Sequence, residues 1–338
     1  MTIMKTCLVT GGLGFIGSHV CIELLSNNYN LIIIDNLSNS QIEKLEKISQ
    51  FNKFNNSISF YNVDLVNYDE LLNTMNEILT RTNILIDIII HMAGFKAVSD
   101  SIDFPIKYYQ NNLISTLNLT KIMELFGIKN LIFSSSATVY GSAQVPYYEN
   151  TQTGIGITNP YGRSKYIQEE MLKDISKANK DWNIIILRYF NPIGHIGLDF
   201  KEIPNGIPNN LFPYLLKVSN GELKELTVFG SDYDTRDGTC SRDFIHVVDL
   251  ANAHSVCCEY LLSDIKTGLK IYNVGTGLDT TVLELITTFE KVNKTELRWK
   301  FGLDRQGDLK SSYSNVNLIF NELGWKASKS IEDCVKIN

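Results

Sequence analysis

The sequence is poor in the residues that announce disulfide, metal, membrane or nucleic-acid chemistry. Its six cysteines stand at 7, 21, 240, 257, 258 and 334, with no C-x-x-C spacing. Cys257 and Cys258 are adjacent and make an unfavourable disulfide pair, so buried, reduced thiols in a cytoplasmic protein are expected. The five histidines form no H-E-x-x-H and no close pair with cysteine, so no metal site is expected. No apolar run approaches ~20 residues, which argues against a membrane span. The strand pattern begins at Thr6, so no targeting segment is expected. There is no Lys/Arg run, and 31 basic against 37 acidic residues give a net charge of −6. Nucleic acid is therefore not an expected partner. A small anionic ligand remains open, because a few arginines can bind phosphates on an acidic protein.

What the chain does have is length and apolar content. Its 338 residues are 44% hydrophobic, enough for a sizeable core and about two domains. Short β-branched runs alternate with amphipathic stretches. Strands are predicted at Thr6–Thr10, Leu31–Asp35, Ile58–Asp64, Asp87–His91, Leu131–Ser135 and Ile184–Leu187. Helices are predicted at Phe15–Leu25, about Tyr68–Leu79, about Asn111–Phe126 and about Tyr161–Lys177. This succession implies an α/β fold with a parallel sheet covered on both faces. The rhythm changes after Phe190, where four of the seven prolines fall between 192 and 213. Residues 1–188 are therefore read as a doubly wound, Rossmann-type domain. Residues 189–338 are read as a smaller α/β domain, with 243–262 packing back on the first.

The first predicted strand runs into Gly11-Gly12-Leu13-Gly14-Phe15-Ile16-Gly17. Glycines there permit a tight turn, close backbone approach to a pyrophosphate and close helix–strand packing. The helix N-terminus beyond them offers free N–H groups to an anion. Both Gly12-x-Gly14-x-x-Gly17 and Gly11-x-x-Gly14-x-x-Gly17 fit known dinucleotide-binding spacings. Asp35 ends the second strand, where an acid accepts from ribose hydroxyls and repels a 2′-phosphate. Asn36-Leu37-Ser38-Asn39 adds no base to bind that phosphate, so NAD is expected rather than NADP.

Tyr161 and Lys165 lie four apart at the start of a predicted helix, on one face. A nearby ammonium favours phenolate, so Lys165 is expected to lower the Tyr161 pKa and ready it as a base. Pro160 suits a helix start. The preceding strand ends in Ser134-Ser135-Ser136, at the edge where open α/β sheets bind ligands. Ser136 there can donate to a substrate oxygen.

With these motifs in order, the chain resembles the extended short-chain dehydrogenase/reductase family, nearly end to end. Within it the likeness is to C4-epimerases of UDP-hexoses. The carrying segments are Thr10–His19, His91–Val98, Tyr108–Asn112, Phe133–Gly141, Asn159–Lys165, Arg188–Gly194, Pro208–Tyr214, Arg242–Ala251, Tyr272–Gly277 and Arg305–Leu309. The resemblance implies an NAD-binding first domain and a second domain that binds the UDP-sugar. It implies NAD contacts from Gly11, Gly14, Phe15, Ile16, Gly17, Asp35, Asn36, Asp64, Leu65, Ala93, Gly94, Lys96, Asn111, Ser134, Tyr161, Lys165 and Tyr189. It implies catalytic roles for Ser136, Tyr161 and Lys165. It implies UDP-sugar contacts from Lys96, Ser136, Tyr161, Asn191, Asn210, Leu211, Phe229, Arg242, Arg305, Asp308 and Ser312. Two guanidiniums, Arg242 and Arg305, suit a pyrophosphate. A homodimer through the helices around 111–126 and 161–177 is implied as well.

A 4,6-dehydratase on this fold resembles its relatives in placing Asp and Glu after the strand-end hydroxyl. Here Ser136 is followed by Ala137-Thr138-Val139, which disfavours dehydration. A UDP-glucuronate 4-epimerase or decarboxylase is a closer alternative. A non-catalytic NAD-binding regulator would lack the Tyr or the Lys, and both are present. The resemblance also places a gate for the sugar 2-substituent at Ser312. A small residue there implies that N-acetyl sugars are accepted, whereas a one-residue shift to Tyr313 would reverse that expectation.

Overall fold

The computed structural model describes residues 4–81, 84–202, 208, 210–263, 267–304 and 308–337. Seven parallel strands form the central sheet: β1 (Thr6–Thr10), β2 (Asn30–Asp35), β3 (Ile58–Asn62), β4 (Ile88–His91), β5 (Asn130–Ser136), β6 (Asn183–Tyr189) and β7 (Leu269–Val274). Their order is β7-β6-β5-β4-β1-β2-β3. Chain order reverses between β1 and β4, and open α/β sheets bind ligands in the crevice outside such a switch point.

The strands are apolar throughout because both faces are covered. Cys7, Val9, Leu31, Ile33, Ile88, Ile90, Ile185 and Leu187 point into one core. Their neighbours Leu8, Ile32, Ile34, Ile89, Ile184 and Ile186 point into the other. This is the period-2 alternation of a strand buried on both sides.

Helix α1 (Phe15–Ser26) follows the glycine loop, and α2 (Pro105–Phe126) runs before β5. Helix α3 (Pro160–Ala178) starts at Pro160, where the missing N–H costs nothing. The Asn159 side chain caps it by accepting from Gly162 N at 2.8 Å. Two short helices, Glu43–Ser49 and Val98–Asp103, were not legible as periodic segments, since each spans two turns or fewer.

Residues 189–338 contribute to two apolar clusters. Helix α4 (Val247–Leu261) packs against α1, and β7 completes the central sheet. Ile319 and Trp325 share the core of α1. The remainder gathers around a separate apolar cluster that includes Phe212, Val228, Phe244, Leu285 and Phe289. Its strands are only two to four residues long, such as Ser241–Arg242 and Leu226–Phe229. Among the described residues no helix is long and apolar enough to cross a membrane.

Candidate active site

The glycine loop lies at the switch point. Gly11 has φ +70°, and a Cβ there would sit 2.9 Å from Ala93 N. A Cβ on Gly17 would sit 2.1 Å from the Gly11 carbonyl oxygen, so α1 meets the loop at backbone contact. Gly14 differs: a Cβ there would meet only the Gly11 carbonyl, at 3.2 Å. No side chain caps α1, and its first turn carries no acid, which leaves its N-terminal N–H groups to an anion.

Asp35 is buried at the end of β2. One carboxylate oxygen accepts from Leu13 N at 3.0 Å, the other from Leu37 N at 3.0 Å and Ser40 Oγ at 2.8 Å. Asn36 closes the following turn by accepting from Ser38 N. A buried base, Lys44, acts electrostatically on Asp35; burial lowers its pKa and Asp35 raises it. Looking only at residues 36–39 missed it, because it comes from the next helix.

Beside Asp35, whose carbonyl accepts from Val63 N, Asp64 accepts from Val66 N, and Asn118 Nδ2 donates to the Leu65 carbonyl. Ala93 N is tied to Thr10 Oγ1. A Cβ on Gly94 would approach Asn112 Oδ1 at 3.1 Å and Lys165 Nζ at 4.0 Å. Asn111 donates to Asn112 Oδ1, and buried Asn112 braces Phe95 and Ser164. Lys96 lies over the Phe15 ring and pairs with Glu202 at 2.5 Å. Glu202 also accepts from Asn210 Nδ2 at 3.1 Å. It thus links two expected ligand contacts from opposite sides, a role no local motif signals.

Tyr161 and Ser136 come together at the end of β5. Burial raises the Tyr161 phenol, and Ser136 draws it back down. Lys165 shares a face of α3 with Tyr161 but does not donate to its hydroxyl. Its Nζ donates instead to the Ser134 carbonyl at 2.7 Å, with the Phe133 ring 4.8 Å away. Burial lowers Lys165 to about 7, and Glu169 opposes that shift. Tyr189 is hydrogen-bonded to Ser134 and donates its hydroxyl to His254 Nε2.

Facing these groups is a site made of side chains. Arg242 donates to the Leu309 carbonyl at 2.8 Å and pairs with Asp308 at 3.5 Å. Arg305 lies outside the described residues. Buried Asp243, next to Arg242, accepts from Thr276 N and Oγ1, Gly277 N, and Ser314 N and Oγ. Sequence reasoning assigned it no role, although it stands beside Arg242 in the same segment. Asn191 starts a strand that pairs with Phe244–His246, Asn210 precedes the helix beginning at Leu211, and Phe229 is exposed. Ser312 pairs in register with Arg242, on the same face of a small sheet, and is hydrogen-bonded by Tyr147.

A model of the NAD dependent epimerase/dehydratase family matches residues 7–275. The chain is 43% identical over 328 residues to the UDP-glucose 4-epimerase of Bacillus subtilis, covering 96% of this chain and 93% of that one. The crystal structure of UDP-glucose 4-epimerase from Bifidobacterium longum in complex with NAD+ and UDP is similar with a TM-score of 0.90 at 44% identity, over 98% of this chain and 96% of that chain. The UDP-Glc/GlcNAc 4-epimerase of Campylobacter jejuni is similar with a TM-score of 0.82 at 32% identity, over 98% and 97%.

Proposed function

The chain belongs to the NAD dependent epimerase/dehydratase family, and from that premise we propose that it catalyses reversible epimerisation at C4 of UDP-hexoses, interconverting UDP-glucose and UDP-galactose with tightly bound NAD. The observation that carries this reading is the meeting of Tyr161, Ser136 and Lys165 beside the glycine loop. The residues of the first half fit NAD. The space at Gly14 is one that a Cβ would enter, the α1 N-terminus is uncapped, and Asp35 lies buried at the ribose end.

Held by these residues, NAD would supply a reversible hydride acceptor for C4 of the sugar. The chain's own groups do the rest. Tyr161 Oη takes the proton of the sugar 4-hydroxyl and gives it back after the sugar has turned. Ser136 hydrogen-bonds that phenol and donates to the sugar oxygen. Lys165, anchored on the Ser134 carbonyl, favours the phenolate by its charge. Arg242, with Arg305, holds the UDP pyrophosphate so that the sugar alone rotates. The remaining NAD and UDP-sugar contacts are those expected from the sequence.

The substrate range extends to UDP-GlcNAc and UDP-GalNAc. The pairing of Ser312 with Arg242 supports this, because it turns Ser312 to the Arg242 face and Tyr313 to the other. The protein is a homodimer through α2 and α3. Ile106 and Leu117, eleven residues apart on α2, are exposed on one face. Six free, buried cysteines suit a reducing, cytoplasmic setting.

A substrate panel without added NAD tests the reading: UDP-glucose, UDP-galactose, both N-acetyl forms and UDP-glucuronate. Conversion of the first four is expected. No bound NAD and no conversion of UDP-galactose would overturn it. Activity on UDP-galactose with none on UDP-GalNAc would remove the wider range, and light scattering decides the dimer.

A further inference from the structure

We propose that Glu169 is a positioning residue for this reaction: its carboxylate fixes the register of α3 that brings Tyr161 and Lys165 to the strand ends, and it holds Lys165 in the ammonium form. This rests on the reading that Tyr161 and Lys165 carry the chemistry.

Tyr161, Lys165 and Glu169 stand at i, i+4 and i+8 on α3, along one face. The three consecutive serines at the end of β5 receive them one by one. Ser136 acts on the Tyr161 phenol, the Ser134 carbonyl accepts from Lys165, and Ser135 Oγ donates to Glu169 Oε1 at 2.5 Å. The helix is thus fastened to the strand end by hydrogen bonds at Lys165 and Glu169, and Glu169 provides the inner one.

That point is a strong one. Glu169 is completely buried, where a carboxylate persists only when paired. Arg188 grips it with two forks, Nε to Oε1 at 3.0 Å and Nη2 to Oε2 at 2.7 Å. Arg188 is register partner of Ser135 on β6, so both donors project from adjacent strands toward α3. Arg188 is itself fixed by the Tyr140 hydroxyl at 2.9 Å and the Glu149 carbonyl at 3.0 Å. Rotation or sliding of α3 would break this set before it moved Tyr161.

The charge matters as well as the grip. From α3, Lys165 faces Tyr161 and Glu169. From β4 it faces His91, which burial keeps neutral, with a pKa of about 3. From β5 come the Ser134 carbonyl and the Phe133 ring, and from β6 comes Arg188 behind Glu169. Lys173 lies 3.9 Å from the far oxygen of Glu169. Glu169 is the one carboxylate in this set, and it opposes the loss of the Lys165 charge. Its removal would also leave Arg188 as an unpaired positive charge nearby, which pushes Lys165 the same way.

The test compares holoenzyme carrying Glu169→Gln or Glu169→Asp with the wild type. The readouts are kcat and KM for UDP-galactose across pH, and the titration of the Lys165 resonance in ¹³Cε-lysine-labelled protein, assigned by its loss in Lys165→Met. For Glu169→Gln, kcat falls roughly tenfold or more, with KM within about twofold. The alkaline limb of kcat and the Lys165 titration both move down by roughly a pH unit. Glu169→Asp keeps the charge but shortens the reach, so its limb stays at the wild-type pH while kcat lies between the other two. A folded Glu169→Gln enzyme with a wild-type limb and titration overturns the proposal. If that variant yields no folded protein, a Glu169→Asp enzyme with wild-type kcat overturns it. A wild-type enzyme inert toward UDP-galactose would instead sink the proposed function, and the Lys165 titration alone would then judge Glu169.

Discussion

The two halves that face the crevice prepare for an anion by opposite means. The first uses backbone: three glycines, an uncapped helix N-terminus and strands buried on both faces. The second uses side chains: Arg242 braced by Asp308 and the Leu309 carbonyl, with Asp243 gathering five donors beside it. A site made of backbone is broken by adding atoms at a glycine and is indifferent to most other changes. One made of side chains can be retuned residue by residue, which suits the half proposed to hold the sugar. Tyr161 stands between them, with its chemistry separable from both.

The largest effect tests that separation. Tyr161→Phe removes only a hydroxyl and is expected to lower kcat roughly 10²- to 10⁴-fold. Bound NAD and UDP affinity should stay near wild type. Loss of either ligand in this variant would mean that the halves depend on the residue between them.

Next comes a pair of glycines. Gly17→Ala places a Cβ 2.1 Å from the Gly11 carbonyl and 2.8 Å from Gly12 Cα, both backbone, so the turn must move. A stability loss of about 1–3 kcal/mol or more is expected, together with loss of bound NAD. Gly14→Ala meets a single atom at 3.2 Å and should melt close to wild type. It would nonetheless retain less NAD, since its Cβ points into the cradle. Equal melting temperatures for the two variants would refute the backbone account.

Asp243→Asn probes the other half. The carboxylate accepts on both oxygens, and an amide nitrogen would face donors on one side. A cost of about 1–3 kcal/mol is expected. KM for the UDP-sugar should rise while bound NAD is retained. A drop in NAD content equal to the rise in KM would erase the contrast.

The sequence made the regular half legible and left much of the rest hidden. β1 fell at Thr6–Thr10 and the glycine loop lay where the spacing put it, because both follow from local periodicity and backbone need. β7 was hidden in a stretch read as part of the second domain, since nothing local says which sheet a strand will join. Glu169, Arg188 and Glu202 were hidden for a related reason. Each acts across long sequence separations: Arg188 reaches Tyr140 and Glu149, and Glu202 reaches Lys96. The Lys165–Ser134 contact adds an anchor that the four-residue spacing did not signal. A shared helix face puts two groups near each other, but the nearest acceptor decides where an ammonium donates.

The smallest expected effect concerns acid. Three histidines packed around the central sheet are held neutral by burial. His19 donates to the Phe15 carbonyl and accepts from Ile196 N; His91 sits between Thr10 and Thr116; His254 donates to the Leu250 carbonyl and accepts from Tyr189. Burial lowers them to about 3, about 3 and about 4. Their folded pKa values lie below the ordinary 6.5, so the unfolded chain binds more protons throughout that interval. Their stabilisation is complete above pH 6.5 and is lost as pH falls toward 4. Each contributes a slope that starts at about 0.7 kcal/mol per pH unit near 6.5 and approaches about 1.4 a unit or more below it. His254→Gln cannot take a proton and should remove one such contribution, so that its melting temperature falls less steeply than wild type between pH 6.5 and 5. Hydrogen exchange in the same interval should rise first in β1, β4 and α1, before the cluster around Phe212 and Phe289. Simultaneous opening of both regions, or an unchanged slope in His254→Gln, would show that the two halves answer acid as one.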